Sequence, residues 1–150
     1  MMKRACLKFG LSLVLAVGVA FPALAENSPD TLAGAKVVNA AEVKKLGDAG
    51  AALIDTRVAA ENAEKTIKGA KGVTYKEKSA KQAGYDASQD QFDLTKLPAD
   101  KAAPIVFFCN GPECWRSYKA STAAVKAGYS KVNYFRGGMP EWVAAGLPTQ

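Results

Sequence analysis

The stretch IVFFCNGPECWRSYKA, residues 105–120, holds two cysteines, Cys109 and Cys114, within one six-residue window. The whole chain has three cysteines and no histidine, so the pairing points to chemistry. Four kinds are open to it: a structural disulfide, a metal site, a redox pair, or a nucleophile with a companion thiol. The missing histidine excludes Cys-His and Ser-His-Asp catalysis. It also leaves two thiolates without imidazole, an incomplete zinc site, so no metal is expected. As a staple the pair is poor, since closing a loop of this length stabilises by only about 2 kcal/mol on chain-entropy grounds. Strained or exposed short-loop disulfides are the reducible kind, so a bridge here points to redox switching before architecture.

The residues around Cys109 favour a reactive thiolate. Ile105–Phe108 is an uninterrupted apolar run that predicts a buried strand, with Cys109 at its carboxyl end. In parallel α/β sheets, ligands bind beyond that end. A helix is predicted from about Glu113 to Ala127, closed by Gly128. Its N-terminal N–H groups and positive dipole favour an anion and should hold the Cys109 thiol below its ordinary pKa of about 8.5. Arg116 adds a fixed positive charge, and Gly111 lets the backbone curl its N–H groups inward as an anion nest. The expected site is therefore Cys109 and Arg116 as catalytic residues. Asn110, Gly111, Pro112, Glu113, Cys114 and Trp115 form the substrate-binding loop, with the backbone N–H groups of residues 110–115 as the cradle.

Other elements must position this loop. Asn39 is placed to cap a helix over NAAEVKKLGDAG with Glu42 at its third position, and Gly47 or Gly50 to end it. AALIDTR predicts a short buried strand emerging into charge, VAAENAEK a short helix, and the segment around Val73 another short strand. KVNYF predicts a further strand, and RGGMPEWVAAGLP a tight turn and helix, with Pro140 in the first turn and Gly146 at the end. Strands alternating with helices at this spacing imply a parallel α/β sheet. Residues 76–103 form an irregular polar connector, long for a compact domain.

The N-terminus bounds the compartment. Lys3, Arg4 and Lys8 precede an apolar core at Leu11–Phe21, and Ala23-Leu24-Ala25 is a small-x-small cleavage pattern. Residues 1–25 are expected to be a signal peptide that is removed, with the periplasm as destination and no membrane association after cleavage. The mature chain, 26–150, then comprises a polar lead-in at 26–36 and one domain at 37–150. Its net charge falls from +6 to +3 (17 Lys and Arg against 14 Asp and Glu), because the leader carries three basic residues and no acidic one. The lysines between Lys65 and Lys101 are interrupted by acidic residues, so no nucleic-acid partner is expected.

Four segments, in order from about Val37 to Pro148, resemble the single-domain rhodanese-like sulfurtransferases. LIDTR is similar to the family's Asp-x-Arg segment. EKTIKGAKGV is similar to its Gly-His-Ile-Pro-Gly-Ala turn, with Thr66 and Lys68 in place of the usual His and Pro. IVFFC resembles the strand that delivers the catalytic cysteine, and YFRGGMPEWVAAGLP the closing segment. The resemblance implies an α/β rhodanese-like fold, with a parallel central sheet of about five strands and helices on both faces. It implies that Cys109 accepts a sulfane sulfur as a persulfide from a small anionic donor and passes it to cyanide or a thiol, with no cofactor. A protein thiol acceptor or a periplasmic reductant is the expected partner.

Two departures stand out. Dual-specificity phosphatases and arsenate reductases show Cys-x5-Arg, whereas this chain reads Cys-x6-Arg and places Glu113 inside the loop, where its charge disfavours a phosphate dianion. Cys114 is absent from most relatives and is a candidate resolving or disulfide partner that could attack a Cys109 persulfide or sulfenic acid. Two other readings follow: a thiol-disulfide or arsenate-type reductase using both cysteines, and a non-catalytic rhodanese-fold binding module with the cysteines locked. Elsewhere structural roles are expected. Asp55 and Arg57 form an ion pair, Phe135 and Trp142 are core aromatics, Lys76 and Lys78 are solvated, and Glu61 and Glu64 are helix-surface charges.

Overall fold

A computed structural model describes residues 26–150, so the leader expected at 1–25 lies outside the described residues. Five strands form one parallel sheet: β1 (Ala35–Val37), β2 (Ala52–Asp55), β3 (Lys71–Gly72), β4 (Ile105–Phe108) and β5 (Val132–Phe135). Their order is β1-β5-β4-β2-β3. Among the described residues three α-helices lie between strands, α1 (Ala40–Asp48), α2 (Ala59–Glu64) and α3 (Arg116–Lys126), and α4 (Gly138–Ala144) follows β5. The parallel five-stranded α/β architecture expected from the sequence is present.

Successive side chains of a strand face opposite sides of the sheet, and β4 shows the consequence. Val106 and Phe108 enter one core with Val43 of α1 and Met139 and Trp142 of α4. Ile105 and Phe107 enter the other with Ala120 and Ala124 of α3, Tyr75 just before the connector and Leu97 within it. All four β4 side chains are buried because helices or connector cover both faces. Burying a side chain of this size stabilises by about 1.5–3 kcal/mol, which explains the unbroken apolar run.

The expected cap of α1 is present. Glu42 N–H donates to Asn39 Oδ1 at 2.9 Å, and Asn39 N–H donates to Glu42 Oε2 at 3.0 Å. Two boundaries differ from the sequence expectation. Helix α3 begins at Arg116 rather than Glu113, because Cys114 N–H closes a turn onto Gly111 O (3.0 Å) and Trp115 serves as N-cap. The strand expected around Val73 is only Lys71–Gly72, although Val73 N–H continues the ladder to Asp55 O at 2.9 Å.

The 76–103 connector is tied to the domain by a buried cation that its own composition does not reveal. Lys119 of α3 is fully buried, and its Nζ donates to Ser79 Oγ (2.8 Å) and Ala80 O (3.0 Å) and pairs with Glu77 Oε2 at 2.8 Å. Asp90 sits beside it, accepting from Tyr75 Oη at 2.8 Å, Ser79 Oγ at 2.6 Å and the Lys78 and Ser79 amides at 2.7 Å. Burial pushes the Asp90 carboxyl up, but those hydrogen bonds outweigh it and hold the group at about 2. Lys119→Met should cost about 3–5 kcal/mol, because it leaves buried carboxylates without their cation. Urea unfolding would read this as a lowered midpoint, and a loss below about 1 kcal/mol would mean that the Asp90 turns alone hold the connector.

Candidate active site

The register of the sheet brings the site together. Asp55 of β2, Phe108 of β4 and Phe135 of β5 lie side by side at the carboxyl edge. Arg57, Cys109 and Arg136 therefore leave the sheet at the same edge. Thr56 pins the end of β4, its N–H and Oγ1 donating to Phe108 O at 3.1 and 2.8 Å. From the other side Met139 N–H donates to Cys109 O at 2.8 Å, so the N-terminus of α4 backs the cysteine.

Cys109 is fully buried and disulfide-bonded to Cys114, with the two Cα atoms 6.1 Å apart. Cys114 is half-buried, Glu113 exposed and Trp115 buried. Gly111 has φ +102°, a left-handed conformation that a residue with a Cβ adopts only with strain, and this permits the curl expected of the loop. The cradle is smaller than expected. Pro112 has no N–H, and that of Cys114 is spent on Gly111 O. The N–H groups of Asn110, Gly111, Glu113 and Trp115 remain without acceptors among the described residues. Arg116 follows at the first position of α3, and its buried Nε also lacks an acceptor among the described residues.

Asp55 and Arg57 form the expected pair, with Arg57 Nη2 to Asp55 Oδ2 at 2.7 Å and both side chains almost wholly inaccessible. Asp55 also accepts from Asn62 Nδ2 (3.0 Å) and Thr66 Oγ1 (2.7 Å). Burial raises the Asp55 carboxyl, but hydrogen bonds from Arg57, Asn62 and Thr66 prevail and hold it below its ordinary value. Thr66, the residue that the sequence resemblance sets in place of the family's usual His, thus closes on the Asp55 carboxylate. Arg57 reaches further, to Lys65 O at 2.5 Å and Asn110 Oδ1 at 3.4 Å. Asn110 Nδ2 donates to Glu61 Oε1 at 2.6 Å, so Glu61, expected to be a surface charge, steadies the first residue of the loop. Arg57, Glu61, Lys65, Asn110, Pro140 and Val143 line an open cleft of about 390 Å³ beside it.

The segment expected to be a polar lead-in clamps the far side of the loop. Ser28 N–H and Oγ donate to Pro112 O at 2.7 and 2.8 Å, and Ser28 Oγ lies 2.7 Å from Tyr134 Oη. Arg136 Nε and Nη2 hold Ser28 O at 2.9 and 2.8 Å, and Trp115 Nε1 donates to Glu26 O at 2.6 Å. Trp115 therefore packs, edge to face with Tyr118 at 5.4 Å, under the clamp. Nothing local in the sequence signals Ser28 or Arg136, since each depends on a partner about a hundred residues away. Lys76 and Lys78 are exposed, as expected of solvated residues.

Comparison with known proteins agrees with this fold. The family model for the rhodanese-like domain matches residues 39–145. No curated protein matches the chain. Among solved structures, the rhodanese-like domain of an Anabaena protein superposes with a TM-score of 0.57 at 22% identity, covering 75% of this chain and 76% of that one. The polysulfide-sulfur transferase homodimer of Wolinella succinogenes gives 0.57 at 21% identity, covering 79% and 80%. A thiosulfate sulfurtransferase of Pseudomonas aeruginosa gives 0.55 at 22% identity, covering 77% of this chain and 20% of that one. At these identities the structural likeness speaks for a shared fold, and the family match runs through both cysteines and α4. The chain belongs to the rhodanese-like domain family.

Proposed function

We propose that this protein is a periplasmic sulfurtransferase that carries sulfane sulfur on Cys109. The observation that supports it most is the placement of Cys109 at the end of β4, beneath a loop with four unspent amides and the unpartnered Nε of Arg116. A buried guanidinium nitrogen such as Arg116 Nε, without an acceptor among the described residues, is costly unless a ligand supplies the anion. In the forward step the Cys109 thiolate attacks the outer sulfur of thiosulfate, the S–S bond of the donor breaks and sulfite leaves. The persulfide keeps the negative charge, and the loop amides and Arg116 hold it. An acceptor thiolate or cyanide then takes the outer sulfur and returns Cys109 as thiolate. Substrate binding falls to Asn110, Gly111, Glu113 and Trp115 through their amides, while Pro112 shapes the turn.

This chemistry needs the Cys109–Cys114 bond open. The closed pair favours a second reading, thiol-disulfide exchange using both cysteines. The two separate cleanly by intact mass. Reduced protein should gain one sulfur atom with thiosulfate, Cys109→Ser should gain none, and Cys114→Ser should load and transfer as wild type. Cyanide-dependent turnover should fall to the uncatalysed rate in Cys109→Ser. Full transferase activity in Cys109→Ser would end the proposal, and loss of transfer in Cys114→Ser would favour the exchange reading.

A further inference from the structure

The two sulfurs of the closed loop are not equivalent. Cys109 is fully buried, with its carbonyl held by Met139 N–H and the preceding Phe108 also fully buried. Cys114 is only half-buried, next to exposed Glu113. A thiolate must reach a disulfide sulfur along the S–S axis from outside, so access selects which sulfur is attacked. The departing sulfur matters as well, because the better stabilised thiolate leaves faster. Cys109 follows directly on β4, and the loop that carries the unspent amides runs from it into the positive N-terminal end of α3.

From access and leaving-group stabilisation together, we propose that the loop is opened from Cys114: an external thiolate attacks Cys114 Sγ, and Cys109 leaves as the thiolate. One S–S bond forms, between the external sulfur and Cys114, and one breaks, freeing the Cys109 electron pair. The buried sulfur is thereby delivered in its reactive form without being approached. The clamp keeps the product poised to reverse. Pro112 and Trp115, on either side of Cys114, are both tied to Glu26–Ser28, so the modified Cys114 stays close to Cys109. Over a five-residue separation the effective concentration of Cys109 toward Cys114 is of millimolar order or higher, and the loop recloses by expelling a simple monothiol. Net opening therefore calls for a dithiol reductant, whose second thiol attacks the mixed disulfide, releases Cys114 and takes the two electrons' worth of oxidation as its own disulfide. Cys114 is in this account the docking sulfur for a dithiol partner, a role independent of whether Cys109 later carries sulfane sulfur.

Peptide mapping tests it on the oxidised full chain. Glutathione attacks the disulfide, and iodoacetamide in large excess alkylates whichever cysteine departs, releasing iodide and preventing reclosure. The expected product has glutathione on Cys114 and the alkyl group on Cys109, in at least about tenfold excess over the opposite arrangement, that is, about 1.4 kcal/mol of selectivity. An excess of the opposite product, an even mixture, or no adduct at either residue would overturn the proposal. Without iodoacetamide, glutathione at micromolar concentration should leave the loop closed, while an equal thiol concentration of dithiothreitol opens it. Stable opening by the monothiol would refute the dithiol requirement. Thiosulfate takes no part in either assay, so a failure of sulfur transfer and a failure of this assignment remain distinct results.

Discussion

Asp55→Ala should lower stability by about 3–5 kcal/mol and loosen the Cys109–Trp115 loop from a distance. The carboxylate is fully buried and accepts from Arg57 Nε, Nη2 and N–H, Asn62 Nδ2 and Thr66 Oγ1. Its removal leaves the nearly inaccessible Arg57 guanidinium without a counter-charge. Arg57 then no longer has a fixed position from which to meet Asn110, the first residue after Cys109. Urea unfolding at neutral pH measures the first effect, and glutathione trapping at Cys114, faster in a looser loop, the second. The pH dependence provides an independent sign. The Asp55 carboxyl is held below its ordinary value in the folded protein. Its stabilisation is therefore complete above the unfolded pKa of about 3.9 and is lost as pH falls through the lower folded value. The variant should lack that part of the acid-induced loss. A variant that unfolds at the wild-type midpoint, with the wild-type acid slope, would show that the pair contributes nothing beyond its own desolvation cost.

Gly138→Ala should be as damaging, by a steric route. Gly138 has φ +56°, and a Cβ there would drive into the Cys109 carbonyl oxygen and lie 2.9 Å from the Gly111 amide nitrogen. These are backbone atoms of the loop itself, so they give way only if the Met139–Cys109 hydrogen bond and the loop conformation are lost. Gly146 offers a matched control. Its φ is +68°, yet no atom lies within 4 Å of a Cβ placed there. Gly146→Ala should pay only the conformational cost of about 1–2 kcal/mol. Gly138→Ala should lose at least about 2 kcal/mol more through overpacking, and its folded fraction should load less sulfur from thiosulfate than wild type. Equal losses in the two variants, with sulfur loading unchanged in both, would mean that the close approach of α4 does not shape the loop.

The clamp built by Glu26 and Ser28 gives the lead-in a structural role beside the cysteine loop. It holds Pro112 and Trp115 through backbone carbonyls and one buried hydroxyl, and Arg136 and Tyr134 secure it from β5 and just beyond. The loop thus has two anchors of different origin, Arg57–Asn110–Glu61 directly after Cys109 and the clamp on either side of Cys114. Opening the disulfide need not dismantle either.

What the sequence by itself determined is what nearest neighbours and strand periodicity can encode. Four apolar residues before Cys109 define a strand covered on both faces, Asn39 and Glu42 cap a helix three residues apart, and Asp55 and Arg57 pair across one turn of chain. The spacing of Cys109, Cys114 and Arg116 marks a loop between a strand and a helix. The start of α3 was less legible, because Trp115 and Glu113 are compatible with a helix until the Gly111–Cys114 turn takes their place. Only the tertiary structure decided the rest. Ser28 meets Pro112 across 84 residues, Asn110 meets Glu61 across 49, and Lys119 meets Ser79 across 40. Each of these joins an unremarkable polar residue to a partner that parallel crossover connections bring to the same edge or face of the sheet. Local propensity carries no record of such pairings, because the free energy that selects them comes from burying both groups at once, and that happens only after the sheet has set their positions.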